Sequence, residues 1–273
     1  MTNASLCIQR SLEANPLREP VLRSVIQSLG LPLGSHGLDA GCGIGPQALL
    51  LAEAVGPEGH VTGMDIVPDL LAFGNDHVRR TGYSNQITFC TGDVSRLPFE
   101  DKTFDWVWSA DCIGYPLGEL TPFLKELVRV VRPGGSVFLL GWSAQQLLPG
   151  YPLLEARLNA TCSAYNPFFK GKNPELNFLR AVRCFRQAGL EEVKAQTFVG
   201  DVQAPLSNGE RTALTSLFEM LWGQPQPEVS PEDWKEYRRL CELGSSDFIL
   251  DIRDYYAFFT YSMFRGKVPL KEQ

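Results

Sequence analysis

The sequence predicts an α/β fold, a parallel sheet with helices on both faces, followed by a less regular helical elaboration. Three observations carry this. Short apolar runs alternate with helix-like stretches from residue 36 to residue 142, the pattern of repeated strand–helix units. Glycines crowd the turn after the first apolar run. Pro46 and Pro68 stand where first helical residues fall, a position where the missing N–H costs nothing.

The elements follow in order. Residues 1–15 are polar and uncommitted, and a helix is expected from Leu17 to Leu29, closed by Gly30. A first strand ends at Leu38-Asp39-Ala40, and a helix opening at Pro46 runs to Val55 before the turn Gly56-Pro57-Glu58-Gly59. His60 to Asp65 reads as the second strand, Pro68 to Arg80 as a helix, Gln86 to Cys90 as the third strand and Phe104 to Ala110 as the fourth. Leu120 to Val131 is helical, Pro133-Gly134-Gly135 reads as a sharp turn, and Ser136 to Trp142 as the fifth strand. Beyond it, Leu176 to Ala188 is read as one amphipathic helix, Glu192 to Val199 as a strand, and Tyr255 to Phe264 as a buried strand. The expected organisation is an N-terminal helical segment (1–34), a ligand-binding core (35–143) and the remainder of the sheet (144–273), with cap insertions near 144–172 and 207–247.

Composition narrows the function. The 273 residues carry a net charge of −6 with no Lys/Arg cluster. A protein gripping phosphates would show a basic stripe, so no nucleic-acid partner is expected. No apolar stretch approaches the length that crosses a bilayer. The seven cysteines form no C-x-x-C pair, which argues against a disulfide framework or a metal site. Scattered thiols, with no basic-then-apolar leader at the N-terminus, fit a cytoplasmic protein.

The informative motif is Leu38-Asp39-Ala40-Gly41-Cys42-Gly43-Ile44-Gly45-Pro46. An acid ends the strand, glycines stand at alternate positions, and a helix follows. Glycine permits unusual dihedrals and lets a ligand lie on bare backbone, and the helix start offers unpaired N–H groups. Asp65 ends the second strand, where an acid can accept from ribose hydroxyls. Two ligands compete for such a loop. The dinucleotide fingerprint is G-x-G-x-x-G, with no acid required ahead of it; here the spacing is G-x-G-x-G behind Asp39. A carboxylate repels a pyrophosphate and attracts an ammonium or a sulfonium. A tight turn with no ligand is the bland alternative.

Two further motifs follow. Thr91-Gly92-Asp93-Val94 comes after the third strand, where a carboxylate can accept from an adenine amino group. Asp101-Lys102-Thr103-Phe104-Asp105-Trp106-Val107-Trp108 leads to Ser109-Ala110-Asp111, and Leu124 to Gly135 gives helix, turn and strand.

Together, over residues 35–143, these motifs resemble the class I S-adenosylmethionine (SAM)-dependent methyltransferases, in particular the branch of the ubiquinone/menaquinone-biosynthesis enzymes and related small-molecule methyltransferases. The resemblance implies a Rossmann-like seven-stranded sheet, mostly parallel with the last strand antiparallel. It implies SAM as cofactor and S-adenosylhomocysteine as product. Asp39, Gly41, Cys42, Gly43 and Gly45 would lie along the methionine end and Asp65 at the ribose. Ile66 would pack on the adenine, with Gly92, Asp93 and Val94 at its edge and Ala110 beside the methionine through its backbone.

The acceptor is expected to be a small molecule, with an aromatic or lipophilic body if the cap aromatics line its site. Those are Trp142, Tyr151, Tyr165, Phe168, Phe169, Phe218 and Trp222, with Met220; the other reading makes them the cap's own core. Gly and Pro at candidate hinge points, Pro149-Gly150, Gly171, Gly209 and Gly223, suggest a mobile cover. Methyl transfer needs proximity and in-line approach more than a base. Candidate catalytic residues follow the fourth strand: Asp111, Cys112 and Tyr115. His36 and His60 fall at strand starts and His77 within a helix, all away from the site. Two other readings are a SAM-binding partner or sensor without chemistry and, drawing on Cys112 and Cys162, an arsenite methyltransferase. No feature of the sequence specifies an oligomeric state.

Overall fold

The computed structural model describes residues 3–113, 119–161, 173–224 and 227–270. Seven strands form one sheet: β1 (His36–Ala40), β2 (His60–Asp65), β3 (Ile87–Thr91), β4 (Phe104–Ala110), β5 (Val131–Gln146), β6 (Glu191–Gln203) and β7 (Tyr256–Lys267). Their order is β3-β2-β1-β4-β5-β7-β6. β7 runs antiparallel to both neighbours and the other pairs are parallel, the predicted arrangement. The connections leaving β1 and β4 diverge between these two neighbouring strands, which opens a crevice at their carboxyl ends.

The helices are α1 (Asn3–Ser28), α2 (Pro46–Val55), α3 (Pro68–Arg79), α4 (Leu120–Val130), α5 (Pro152–Thr161), α6 (Ala181–Gln187), α7 (Asn208–Trp222) and α8 (Pro231–Cys241). Side chains alternate across the sheet as the pleat requires. Trp106, Trp108, Phe138 and Leu140 join one core layer with α1, α2, α7 and α8. Val107, Val137 and Leu139 join the other with α4 and α6.

Three elements differ from expectation. Helix α1 begins at Asn3 and carries both Pro16 and Pro20 inside it. Its anchor is the second half, where Leu17, Val21, Leu22, Val25 and Ile26 are buried. The stretch Pro133-Gly134-Gly135 lies within β5 instead of forming a turn ahead of it. Gly134 donates to Val268 O at 2.8 Å, Val268 donates to Gly135 O at 2.9 Å, and the register against β4 shifts between Phe104 and Trp106. The single helix expected over 176–188 is two short 3₁₀ turns followed by α6. There Asn173 accepts from Glu175 N and Asn177 from Leu179 N, local side-chain bonds that compete with a continuous helix.

Helices α5, α7 and α8 pack on one another, and α1 packs on α7. Glu155 ties α5 to the end of β5. It is fully buried, accepting from Leu147 N at 2.8 and 3.0 Å and from Leu148 N at 2.9 Å. Burial pushes its carboxyl pKa up, against the pull of those two backbone donors. Glu155→Ala strands two buried N–H groups, at about 1–3 kcal/mol each. Calorimetric melting should show a loss of roughly 5–10 °C; an unchanged melting temperature would remove this role.

Candidate active site

The loop after β1 is built on the end of β2. Gly41 N and Cys42 N both donate to Met64 O, at 2.8 and 2.9 Å. Asp65, the last residue of β2, accepts from Gly43 N at 2.9 Å through one oxygen and from Val67 N at 3.0 Å through the other. Gly41, Gly43 and Gly45 have φ of +81°, +56° and +78°, a left-handed region that disfavours side chains. A Cβ built on Gly41 would lie 2.2 Å from Cys112 Sγ, whereas one built on Gly43 meets nothing within 4 Å. The loop is therefore closed on its Gly41 side and open above Gly43.

Asp39 lies beneath this loop with 2% exposure. Its Oδ2 has no hydrogen-bond partner. Burial, and after it the charge of Asp65, pushes the Asp39 carboxyl up to about 8. An unsatisfied buried carboxylate behind bare backbone fits a cationic group such as the methionine ammonium of SAM.

The remaining cofactor candidates flank this loop. Ile66 follows Asp65 with 63% exposure, an apolar surface fit to carry a flat ring. Gly92 N donates to Asp65 O at 3.1 Å, which draws the loop after β3 to the end of β2. Asp93 is exposed and accepts from Ser95 N at 2.8 Å; that bond lowers its pKa. Val94 is half-buried against the second core layer. Ala110 ends β4.

Beyond Ala110 two neighbours face two places. Cys112 packs on Gly41; burial, then Asp65 and Asp39, raise its thiol to about 11, so it stays protonated at neutral pH. Asp111 lines a cavity of about 360 Å³. The cavity lies between α1 (Cys7, Arg10, Ala14, Arg18) and α7 (Ala213, Leu217, Met220), with Trp142 and Tyr261 also in its wall. Arg18 donates to Asp111 Oδ2 at 2.5 Å and to the Tyr261 hydroxyl at 2.7 Å. Trp142 N donates to the other Asp111 oxygen at 2.9 Å. Tyr115 lies outside the described residues.

The cap aromatics divide between the two readings. Trp142 faces the cavity. Phe218 and Trp222 are buried and stacked at 5.9 Å, as cap core. Tyr151 is half-buried under the Arg239 guanidinium. Met220 is 55% exposed and lines the cavity. Cys162, Tyr165, Phe168, Phe169 and Gly171 lie outside the described residues. Sequence reasoning missed Arg18 and Tyr261. Tyr261 sits in an aromatic strand and Arg18 on the helical face that also carries Ala14; neither pattern separates them from ordinary packing. His36 and His60 sit at the first residues of β1 and β2, the end of the sheet opposite the site. Among the described residues, no group of three or more His, Cys, Asp or Glu is arranged to hold a metal, and no helix is long and apolar enough to cross a membrane.

Residues 38–135 match a family model described as a methyltransferase domain. A demethylmenaquinone methyltransferase of Bacillus pumilus is 33% identical over 185 residues, which span 63% of this chain and 77% of that protein. The crystal structure of a SAM-dependent methyltransferase from Aquifex aeolicus superposes with a TM-score of 0.54 at 16% identity, covering 98% of this chain and 100% of that one. Phosphoethanolamine N-methyltransferase 2 of Haemonchus contortus, solved with SAM, superposes with a TM-score of 0.53 at 16% identity, covering 90% of this chain and 52% of that one. At such identities the two structures show the shared fold. A relative as similar as the Bacillus enzyme, over most of its length, places the chain in a family: it belongs to the class I SAM-dependent methyltransferases, in the branch of the quinone-biosynthesis enzymes.

Proposed function

We propose that this methyltransferase holds its acceptor in the cavity between α1 and α7, and that the acceptor has a planar, largely apolar body. One observation carries the reading. Asp111 opens into that cavity while the next residue, Cys112, lies on the Gly41 turn, so acceptor cavity and glycine loop meet at the end of β4. The Bacillus relative is named for demethylmenaquinone, and a molecule of that class, in its reduced form, is the acceptor proposed here. The test is S-adenosylhomocysteine formation by purified chain with SAM and reduced demethylmenaquinone. Turnover well above the rate without acceptor is expected; no turnover sinks this choice of acceptor.

In this proposal Asp39 faces the methionine ammonium and Gly41, Cys42, Gly43 and Gly45 supply the bare backbone along it. Asp65 accepts from the ribose. Ile66 packs on the adenine, Gly92, Asp93 and Val94 read its edge, and Ala110 approaches the methionine. When bound, SAM supplies a methyl group already activated by its sulfonium. The chain's part is to orient the acceptor and exclude water during transfer; the proton that the methyl group replaces is lost to solvent after S-adenosylhomocysteine has formed. Both Asp111 oxygens already accept a donor, which suits an orienting role better than proton abstraction. Cys112 remains a neutral packing group, and the thiol chemistry of an arsenite enzyme gains no support from it. The net charge of −6 supports an acceptor other than nucleic acid, and a cytoplasmic location is proposed with it.

Asp39 makes cofactor affinity depend on pH. Its folded-state pKa, about 8, stands above the ordinary carboxylate value. The protonated form is thus favoured in the unliganded fold; that stabilisation is complete below the unfolded pKa and is lost as pH rises through about 8. A cation beside Asp39 favours the ionised form, so binding releases a proton and tightens with pH up to about 8. Calorimetry with S-adenosylhomocysteine at pH 6, 7 and 8 should show this rise, and Asp39→Asn should flatten it. A flat profile in the wild type removes Asp39 from the ammonium.

A further inference from the structure

We propose that Arg18, on a helix outside the sheet, is a positioning residue for methyl transfer: acting through Asp111 and Tyr261, it fixes the floor on which the acceptor rests. The inference rests on the reading of the α1–α7 cavity as the acceptor site.

Asp111 links the end of β4 to both β5 and α1. Its φ is +49°, a left-handed conformation that costs a non-glycine residue energy and persists where neighbours over-determine it. Three bonds do so. Asp111 N donates to Leu140 O at 2.9 Å, Trp142 N donates to Asp111 Oδ1 at 2.9 Å, and Arg18 donates to Asp111 Oδ2 at 2.5 Å. The first two come from β5, the strand beside β4; the third crosses from α1.

The same guanidinium reaches the cavity floor by a second route. Its Nε donates to the Tyr261 hydroxyl at 2.7 Å, and its carbon stands 5.7 Å from the centre of that ring. Tyr261 meets Trp142 edge-on at 5.5 Å, and Trp142 stacks on Phe259 at 4.5 Å with 4° between the planes. Arg18 therefore holds both ends of one unit, in which Asp111 fixes the Trp142 backbone and Tyr261 braces the Trp142 ring.

Arg18 has more to do than staple α1 down. The helix is anchored next to it by Leu17, Val21, Leu22, Val25 and Ile26, all buried. Glycine-loop bonds to Met64 and Asp65 do not involve Arg18. Loss of Arg18 should thus leave the fold and the cofactor cradle in place and loosen the acceptor floor. The Arg18 and Asp111 side chains are 27% and 21% exposed, sheltered enough that a lost partner is only partly replaced by water.

The test compares wild type, Arg18→Gln and Arg18→Lys, each saturated with SAM, using reduced demethylmenaquinone as acceptor. A misplaced floor disturbs the in-line approach. Arg18→Gln should therefore lower kcat by ten- to a hundredfold, with S-adenosylhomocysteine affinity within twofold of wild type, and Arg18→Lys should recover part of the loss. An unchanged kcat, or a fall in cofactor affinity that parallels kcat, overturns the proposal. A second arm needs no acceptor. With S-adenosylhomocysteine bound, hydrogen exchange at the Asp111 and Trp142 amides should accelerate at least tenfold in Arg18→Gln, less in Arg18→Lys, and stay unchanged across residues 39–45. Wild-type protection at both amides in Arg18→Gln also overturns it. If wild type fails to methylate the probe, the choice of acceptor falls while the exchange arm still decides the role of Arg18. Should the Gln variant not fold, Arg18→Lys alone carries both readouts, with smaller changes in the same direction.

Discussion

Gly43→Val is expected to abolish cofactor binding while leaving the protein folded. A Cβ at Gly43 meets no protein atom within 4 Å, so the branched side chain collides with nothing in the chain itself. It projects into the open space above the loop, the space proposed for the methionine end of SAM. The cost to the fold is the φ of +56°, about 1–2 kcal/mol for a residue with a Cβ. Calorimetric titration with S-adenosylhomocysteine should show at least a hundredfold loss of affinity, on the order of 3 kcal/mol. A melting curve should stay cooperative and shift by only a few degrees. Gly41→Val would be a poorer probe, because its Cβ would sit 2.2 Å from Cys112 Sγ and disturb packing directly. Retained affinity in Gly43→Val would move the cofactor off this loop.

Asp65→Ala should weaken cofactor binding by ten- to a hundredfold. A hydrogen bond to a charged group contributes about 1.5–3 kcal/mol, the expected value of a contact from Asp65 to the ribose. The structure adds a second contribution, since Asp65 also accepts from Gly43 N and Val67 N. Removing it loosens the glycine loop as well as the ribose contact, so the loss should lie at the upper end of that range. Asp93→Ala should cost less than tenfold. Asp93 is exposed, and its carboxylate accepts the local bond from Ser95 N, while Ile66 and Val94 would still hold the ring. Equal losses in the two variants would contradict this division of roles.

How much was legible in the sequence depends on where the deciding contacts lie. The bounds of β2, β4 and α2 coincide with expectation, because Gly, Pro and Asp punctuate those turns locally. The glycine loop and Asp65 were legible for the same reason: their spacing is short-range. The start of β5 was not, since Pro133-Gly134-Gly135 reads as a turn ahead of the strand until Val268 is seen paired with Gly135. The first half of α1 was hidden by Pro16 and the run of polar residues ahead of it. It is helical beside α7, where Ser216 donates to Glu13 and Pro16 packs on Gly209. Arg18 was illegible as a site residue because its partners are 93 and 243 positions away. The wall of the cavity proposed for the acceptor, in consequence, comes partly from an N-terminal segment that composition alone leaves uncommitted.

The cavity between α1 and α7 is where we propose that the acceptor meets the cofactor. Ala14 lines that cavity from α1, and Ala14→Trp would fill much of its roughly 360 Å³ without touching the glycine loop. The deciding measurement is transfer of label from methyl-labelled SAM to reduced demethylmenaquinone by wild type and by Ala14→Trp, at cofactor concentrations that saturate both. Labelled product is expected to form with the wild type and to fall at least tenfold in the variant. Equal transfer by the two proteins would contradict it and place the acceptor elsewhere.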